Sequence, residues 1–290
     1  MNILSLFDGM SCGQLAITKE LGIEFDGVKN KYFAAEIKPI AIKLTQHNFP
    51  NTIQVGNVKE IDLSQLPKID LLIGGSPCQD LSIANSNRLG LKGNKSSLFW
   101  EYVRILKEVK PKYFLLENVE MPVQDLVTIT ETLGVNPVNI NSNLVSAQNR
   151  NRYYWTNIKG DEVNLFGESV ISQPKNKNVK LQDILEYGYT DKLKHSCLNR
   201  NSGVDGKQEY LIKRNSTTGM ITLIYDNEDC DEDEGVRTVT QKEMERLQTV
   251  PEGYTSILNK RHAGDLLGDG WTIDVIRHII KNLKEDSELL

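Results

Sequence analysis

The sequence predicts an α/β protein built on a doubly wound, mostly parallel sheet, with a small irregular insert late in the chain. Three observations predict it. Short apolar runs alternate with amphipathic stretches of helix length over residues 1–158. That rhythm fails over 159–235, where Asn, Lys, Gly and Ser accumulate, and returns over 236–290. At 290 residues, with 39% hydrophobic and 25% charged, the chain can bury a sizeable core without staples.

Each element follows in order. Ile3–Phe7 is an apolar strand ending in Asp8-Gly9, and a helix begins near Gly13 and runs to Leu21. Tyr32–Glu36 is a second strand, Ile40–Asn48 a helix, and Thr52–Val55 a weak strand. Asp70–Gly74 (DLLIG) is a strong one. Ser97–Glu108 puts Leu98, Phe99, Tyr102, Val103, Ile105 and Leu106 on one helical face. Tyr113–Leu116 is a strand, Val123–Leu133 a helix and Arg152–Asn157 a late strand. Strands separated by crossovers of this length pair in parallel. Within the insert, Glu209–Ile212 and Met220–Tyr225 are β-like pieces, and helical periodicity resumes at Gln241–Gln248 and Ile273–Leu283. The division is therefore 1–158 with 236–290 as one domain, and 159–235 as a second region.

Composition excludes several classes. No run approaches ~18 apolar residues, so no membrane helix is expected. The start, MNILSLFDG, has no charged leader and begins a strand, so the expected setting is cytoplasmic and not secreted. Cys12, Cys78, Cys197 and Cys230 form neither a CxxC pair nor a zinc spacing, so no metal is expected. Net charge is -5, but seven acids crowd into residues 226–234, and without them the balance is +2. Global charge thus does not exclude a nucleic-acid partner. The acidic run reads as a solvated loop.

Several segments carry chemistry. In Phe7-Asp8-Gly9-Met10-Ser11-Cys12-Gly13 the glycines let a ligand approach the end of a strand beside a helix start, although a plain tight turn explains them equally. Glu36 ends the second strand, where an acid commonly binds ribose hydroxyls; a solvent-facing strand end is the competing reading. Together the two suggest a nucleoside-type cofactor. Cys78 lies past an apolar strand in Gly74-Gly75-Ser76-Pro77-Cys78-Gln79-Asp80, with Pro77 fixing its presentation, which suits a nucleophile. After Asp80 the stretch to Ser97 is free of acids and carries Arg88, Lys92 and Lys95: a basic loop able to close over a polyanion, or an ordinary polar loop. Glu117, in Glu117-Asn118-Val119, sits at the end of a strand facing the same crevice, where a buried carboxyl can donate a proton. Gln148, Arg150 and Arg152 alternate into a strand and so share one face, suited to a phosphate, a carboxylate or a base oxygen.

These landmarks, in this order, resemble the DNA cytosine-5 methyltransferases. The pattern includes the cofactor turn, the acid after strand two, Pro77-Cys78-Gln79, Glu117-Asn118-Val119, Gln148-x-Arg150-x-Arg152, a variable insert, RTVTQKEMERLQTVPEGY and LLGDGW. GGSPCQDLSIAN, VSAQNRNRYYWTN and LLGDGWTIDVIRH look most similar to the catalytic domain of the de novo branch. The resemblance implies a Rossmann-like, S-adenosylmethionine-dependent fold and S-adenosylhomocysteine as product. It implies that Cys78 adds to C6 of a cytosine flipped from double-stranded DNA. It implies that Glu117 supplies a proton, and that Arg150, Arg152 and Gln148 hold the site. Phe7, Asp8, Gly9, Met10, Gly13, Glu36, Ile37, Asn57, Val58, Pro77, Leu98, Asp269, Gly270 and Trp271 become the cofactor set. Gln79, Arg88, Lys92 and Gln148 become DNA contacts. The chain departs from the family pattern in three places. Ser11 and Cys12 stand where the family's turn usually has glycines, Asn57 stands for an acid, and Gly268-Asp269-Gly270 replaces Gly-Asn-Ser. The segment Leu258–His262 resembles a self-association region, implying a homo-oligomer on DNA.

A transfer-RNA methyltransferase of the same fold is the alternative; its Cys-Phe-Thr signature is not matched by Ser196-Cys197-Leu198. The flanking bases of a target must be read outside the catalytic motifs. Residues 159–235 are expected to do so through donors among Lys175, Lys177, Lys192, Lys194, Arg200, Asn201, Lys207, Lys213, Arg214 and Asn215, with Lys213, Arg214 and Asn215 placed near the major groove.

Overall fold

The computed structural model describes residues 1–77, 98–165, 167–200, 202–203, 206, 208–218, 221–228 and 235–285, with side chains except at 214, 216–218 and 285. The chain divides into two compact units. The first comprises Met1–Ile140, Asn151–Gln173 and Ile276–Leu290; the second comprises Asn141–Arg150 and Pro174–Val275. The division expected at 158/159 thus falls at 173/174, and the helix at Gln241 lies in the second unit rather than with the sheet.

The first unit begins with β1 (Asn2–Leu6), α1 (Cys12–Leu21), β2 (Lys31–Ala35), α2 (Pro39–Asn48), β3 (Ile53–Gln54) and β4 (Leu71–Gly75). It continues with α3 (Leu98–Val109), β5 (Tyr113–Val119), α4 (Val123–Leu133), β6 (Val138–Asn141) and β7 (Asn151–Thr156). The sheet order is β3-β2-β1-β4-β5-β7-β6. β1 pairs in parallel with both β2 and β4, and β5 in parallel with β4, whereas β7 runs antiparallel to β5. Both faces are covered, as parallel strands require. Leu4, Leu6, Phe33, Leu72, Phe114, Leu116 and Trp155 pack with Phe99, Tyr102 and Ile105 of α3 and Ile129 of α4. The alternate residues Ile3, Tyr32, Ala34, Leu71, Ile73 and Leu115 are equally buried on the other face. α3 approaches closely because β4 offers Gly74, where a Cβ would stand 3.2 Å from the Tyr102 ring. The chain end returns to α1, where Glu20 accepts from Arg277 at 3.0 Å and Lys284 at 2.7 Å. No described helix is long and apolar enough to cross a membrane.

β6 was not anticipated: Val138 and Ile140 alternate correctly, but the strand is a four-residue edge between Asn-rich neighbours. β8 (Glu162–Val163) and β9 (Ser169–Val170) form a small hairpin in the same unit.

In the second unit, α5 (Gln208–Thr218) corrects the strand expected at Glu209–Ile212. Gln, Glu, Leu, Lys and Arg are helix formers, and Tyr210, Leu211 and Ile212 are contiguous rather than alternating. β10 (Ile224–Tyr225) pairs antiparallel with β11 (Val236–Arg237), so the acidic run connects two strands, and its described residues 226–228 are exposed. α6 (Gln241–Leu247) starts with a capping box between Thr240 and Glu243. α7 (Lys260–Asp269) is capped by Asn259, and α8 (Ile273–Ile280) spans the division between the units.

Candidate active site

In the first unit, the chain goes from β1 to β2 and β3 on one side and then crosses to β4 and β5 on the other. Strand order therefore reverses between β1 and β4, and open α/β sheets bind ligands in the crevice outside the carboxyl ends at such a point. The turns leaving β1 and β4 carry the predicted residues.

After β1, Phe7, Gly9 and Ser11 all take left-handed conformations, with φ of 58°, 61° and 58°. A Cβ built on Gly9 would find only the Phe7 carbonyl, at 4.0 Å, so the face of this turn is open. Glu36 lies one residue beyond β2. Its Oε2 accepts from the Gly9 amide at 2.8 Å, and its Oε1 accepts from the amides of Ile37 at 2.8 Å and Lys38 at 2.9 Å. Three backbone donors thus aim the carboxylate, and Oε2 keeps a lone pair for a hydroxyl. Asp8 turns the other way: its carboxylate accepts from Tyr32 Oη at 2.8 Å and from the Ser11 hydroxyl. Burial pushes the Asp8 carboxyl above its ordinary range, against the lowering effect of its hydroxyl donors. Asn57 follows Gly56, itself at φ 74°, and its amide donates to Glu60 at 3.0 Å while its carbonyl accepts from the Lys59 amide at 3.2 Å. Val58 is buried, Ile37 is exposed, and Leu98 opens α3 packed against the core.

Where β4 ends, Gly75 stands in register with Glu117 on β5, and Glu117 in turn with Tyr154 on β7. β5 runs to Val119, three residues past its expected end, so Glu117 lies within a strand. Glu117 is 8% exposed. Arg152 enters β7 opposite Val119, and its Nε sits 3.0 Å from Glu117 Oε1. Asn118 points to the opposite face and donates to Ser76, at 3.0 Å to the hydroxyl and 3.3 Å to the carbonyl. That lock fixes the start of the Ser76-Pro77-Cys78 segment and carried no signal in the sequence beyond its place beside Glu117. Cys78, Gln79, Arg88 and Lys92 lie outside the described residues.

The structure parts the three alternating residues expected on one strand face. β7 begins only at Asn151, so Gln148 and Arg150 precede it and belong to the second unit. Gln148 is fully buried; it donates to the Leu247 carbonyl at 2.6 Å and the Gln248 side chain at 2.9 Å and accepts from the Leu198 amide at 3.3 Å. Its amide is thereby occupied within its own unit rather than offered to DNA. Arg150, 4% exposed, donates to the carbonyls of Leu198, Gly268 and Gly270 at 3.1, 3.1 and 2.8 Å. It braces Leu198, midway along the insert, against the end of α7. Asp269, Gly270 and Trp271 are also in the second unit, and Asp269 pairs with Arg200 at 2.9 Å.

Of the other expected DNA readers, Lys194 is similarly occupied, whereas Lys177 is exposed in a surface ion pair. Lys194 donates to the carbonyls of Asn143, Ser146 and Val179 at 2.7, 2.8 and 2.6 Å, and Lys177 pairs with Asp274 at 2.5 Å. Lys213 is exposed on α5 with Asn215 half-buried; Arg214 belongs to the same helix. Asn201 and Lys207 lie outside the described residues.

His195 is 5% exposed, and burial pushes its pKa down to about 4. An unfolded chain protonates this residue near the ordinary value of 6.5, so it binds more protons than the folded chain between those limits. Stability is therefore complete above that ordinary value and falls as pH drops toward about 4, by roughly 3 kcal/mol in all. Urea midpoints across this range should show that slope, flattened in His195→Gln; equal slopes in the two proteins would refute it.

The fold and these turns define a doubly wound α/β protein with an open turn and an aimed carboxylate at the switch point of its sheet. The sequence model of the C-5 cytosine-specific DNA methylases matches residues 1–222, and the chain belongs to that family. It is 34% identical over 165 residues to the type II methyltransferase M.NlaIV of Neisseria lactamica, covering 51% of this chain and 38% of that one. It is 27% identical over 280 residues to the type II methyltransferase M1.ScrFI of Lactococcus lactis subsp. cremoris, covering 87% and 72%. The match to M.NlaIV, like the 40% of M.NgoBV of Neisseria gonorrhoeae, takes in well under two thirds of the relative's length. Among solved structures, the Entamoeba histolytica methyltransferase EhMeth superposes with a TM-score of 0.67 at 16% identity, covering 99% of this chain and 98% of that one. The S. pombe Dnmt2 methyltransferase does so with 0.66 at 18%, covering 99% of each. At such identities these two show a shared fold.

Proposed function

We propose that this chain transfers a methyl group from S-adenosylmethionine to C5 of a cytosine flipped out of double-stranded DNA. The observation that carries this reading is the Glu117–Arg152 pair, held at the carboxyl end of β5 in register with the residue that leads into Ser76-Pro77-Cys78.

The crevice residues fit the cofactor. Gly9 leaves open space where a nucleoside would lie, and Glu36 presents an aimed carboxylate with a spare lone pair for a ribose hydroxyl. Phe7 and Leu98 supply apolar surface for the adenine. When bound, the cofactor supplies the methyl as an electrophile.

The remaining chemistry belongs to the chain. The Cys78 thiolate forms a bond to C6 of cytosine, and the C5–C6 electron pair becomes available at C5. Glu117, entering the step as the neutral acid, hydrogen-bonds N3 and the exocyclic amine and gives its proton to N3, which withdraws electron density from the ring and makes C6 electrophilic. Arg152, paired with Glu117, fixes that carboxylate and faces the base oxygen. Once C5 carries the methyl, its proton leaves to a base, the C6–S bond breaks, the thiolate is restored and the N3 proton returns to Glu117. Flanking bases are read by the second unit, with exposed Lys213 and its α5 neighbours Arg214 and Asn215 as the first residues to examine. Arg150 and Gln148 support this arrangement from within that unit.

Bisulfite sequencing of DNA from cells expressing the full chain tests the reading. Protected cytosines in one recurring sequence context are the expected result. DNA with no protected cytosines, from cells containing the folded protein, would reject it.

A further inference from the structure

We propose that Asp8 and Ser11 form a side-chain lock that sets the shape of the cofactor turn, acting as positioning residues rather than as contacts to the nucleoside. This rests on the reading of the crevice given above. Ser11 is the residue before α1, where a serine ordinarily turns its hydroxyl back to cap the helix. Here it makes no such bond, and its backbone sits at φ 58° and ψ 39°, a left-handed conformation that favours glycine. A residue held in this way persists only where its surroundings over-determine it.

The surroundings are four side chains from three parts of the fold. The Ser11 hydroxyl, fully buried, donates to Asp8 Oδ2 and lies 3.0 Å from the Thr45 hydroxyl on α2. Asp8 Oδ1 accepts from Tyr32 Oη, on β2, at 2.8 Å. The backbone completes the link: the Asp8 amide donates to Ala35 at 3.1 Å, and the Ser11 amide to the Asp8 carbonyl at 3.2 Å. The Asp8 carboxylate therefore joins the turn to β2, and the Ser11 hydroxyl joins it on to α2. Between the two locked residues lies Gly9, whose amide reaches Glu36 at 2.8 Å. If Ser11 swings free, nothing in its own conformational preference keeps the turn left-handed, and the Gly9–Glu36 geometry goes with it. Glycine in this place relieves the strain but supplies no lock. The uncapped serine is thus explained by what its hydroxyl holds instead.

The test measures S-adenosylmethionine binding by calorimetry in the full chain, and amide exchange of Gly9 by NMR in the cofactor-free protein. Ser11→Gly should melt like the unsubstituted protein, yet bind the cofactor about ten-fold or more weakly and exchange its Gly9 amide faster, since a hydrogen-bonded lock is lost without a steric penalty. Asp8→Asn should behave alike, and the cofactor KM of both should rise while the DNA KM does not. Ser11→Ala, which keeps the strain and loses the lock, should add a lower melting temperature. Unchanged affinity in Ser11→Gly and Asp8→Asn, or an unchanged Gly9 exchange rate, would overturn the lock. Failure of the crevice reading looks different: the unsubstituted protein would not bind the cofactor, or Glu36→Ala would bind it as well as the unsubstituted protein does.

Discussion

Cys78→Ala should abolish methyl transfer, lowering the turnover by roughly 10⁴-fold or more, the scale on which loss of a covalent nucleophile is felt. Cofactor affinity should stay nearly unchanged, because Cys78 is assigned to the base, whereas the adenosine is assigned to Phe7, Gly9, Glu36 and Leu98. The positioning of that segment begins with a contact the structure does describe. Ser76 is 4% exposed and is held on two atoms by Asn118, so the chain leaves β4 from a fixed point beside Glu117. A duplex containing 5-fluorocytosine should trap the unsubstituted protein as a covalent adduct, since fluorine cannot leave C5 as a proton. Mass spectrometry should place the modification on the peptide containing Cys78. An active Cys78→Ala protein, or the absence of any adduct with cofactor present, would refute the covalent mechanism.

The parallel half of the sheet was legible because its strands are buried on both faces. Continuous apolar runs such as Ile3–Leu6 and Leu71–Ile73 can hardly be anything else between helical stretches. Glu36 was legible for a related reason: a strand that ends in an acid leaves it at the mouth of the crevice. The lock on the β1 turn was not legible. Its partners lie 24 and 34 residues from the turn, and a serine before a helix reads first as a cap. The spacing Gln-x-Arg-x-Arg misleads because strand alternation does not start at Gln148. Strand pairing starts at Asn151, so Arg152 alone joins Glu117, while Gln148 and Arg150 become internal braces whose partners lie 99 and 118 residues away. Lys194 shows the same limit: composition marks a donor but not the carbonyls that occupy it, whereas Arg200 stays exposed while paired with Asp269.

Glu117 and Arg152 should separate chemistry from scaffolding. Their side chains are 11% and 13% exposed, so the ion pair is shielded from solvent on most sides. Glu117→Gln keeps the shape but removes the negative charge opposite the guanidinium. It should lower stability by about 2–4 kcal/mol, because a charge deprived of its partner costs more than the pair contributes. Turnover should fall by roughly 10²–10⁴-fold, the range for loss of a general acid. Arg152→Gln should cost less in stability, since a carboxylate left without its partner can take up a proton and become neutral, whereas a guanidinium cannot. The combined variant decides the matter. With both charges gone, no buried charge is left facing its missing partner, so much of the stability lost in Glu117→Gln should return, giving a large non-additive coupling in a double-mutant cycle. Turnover should not return with it, because neither residue can then give a proton to N3 or a charged hydrogen bond to the base oxygen. Recovery of methyl transfer together with stability would show that the pair serves the fold alone, and the proton at N3 would have to come from another group.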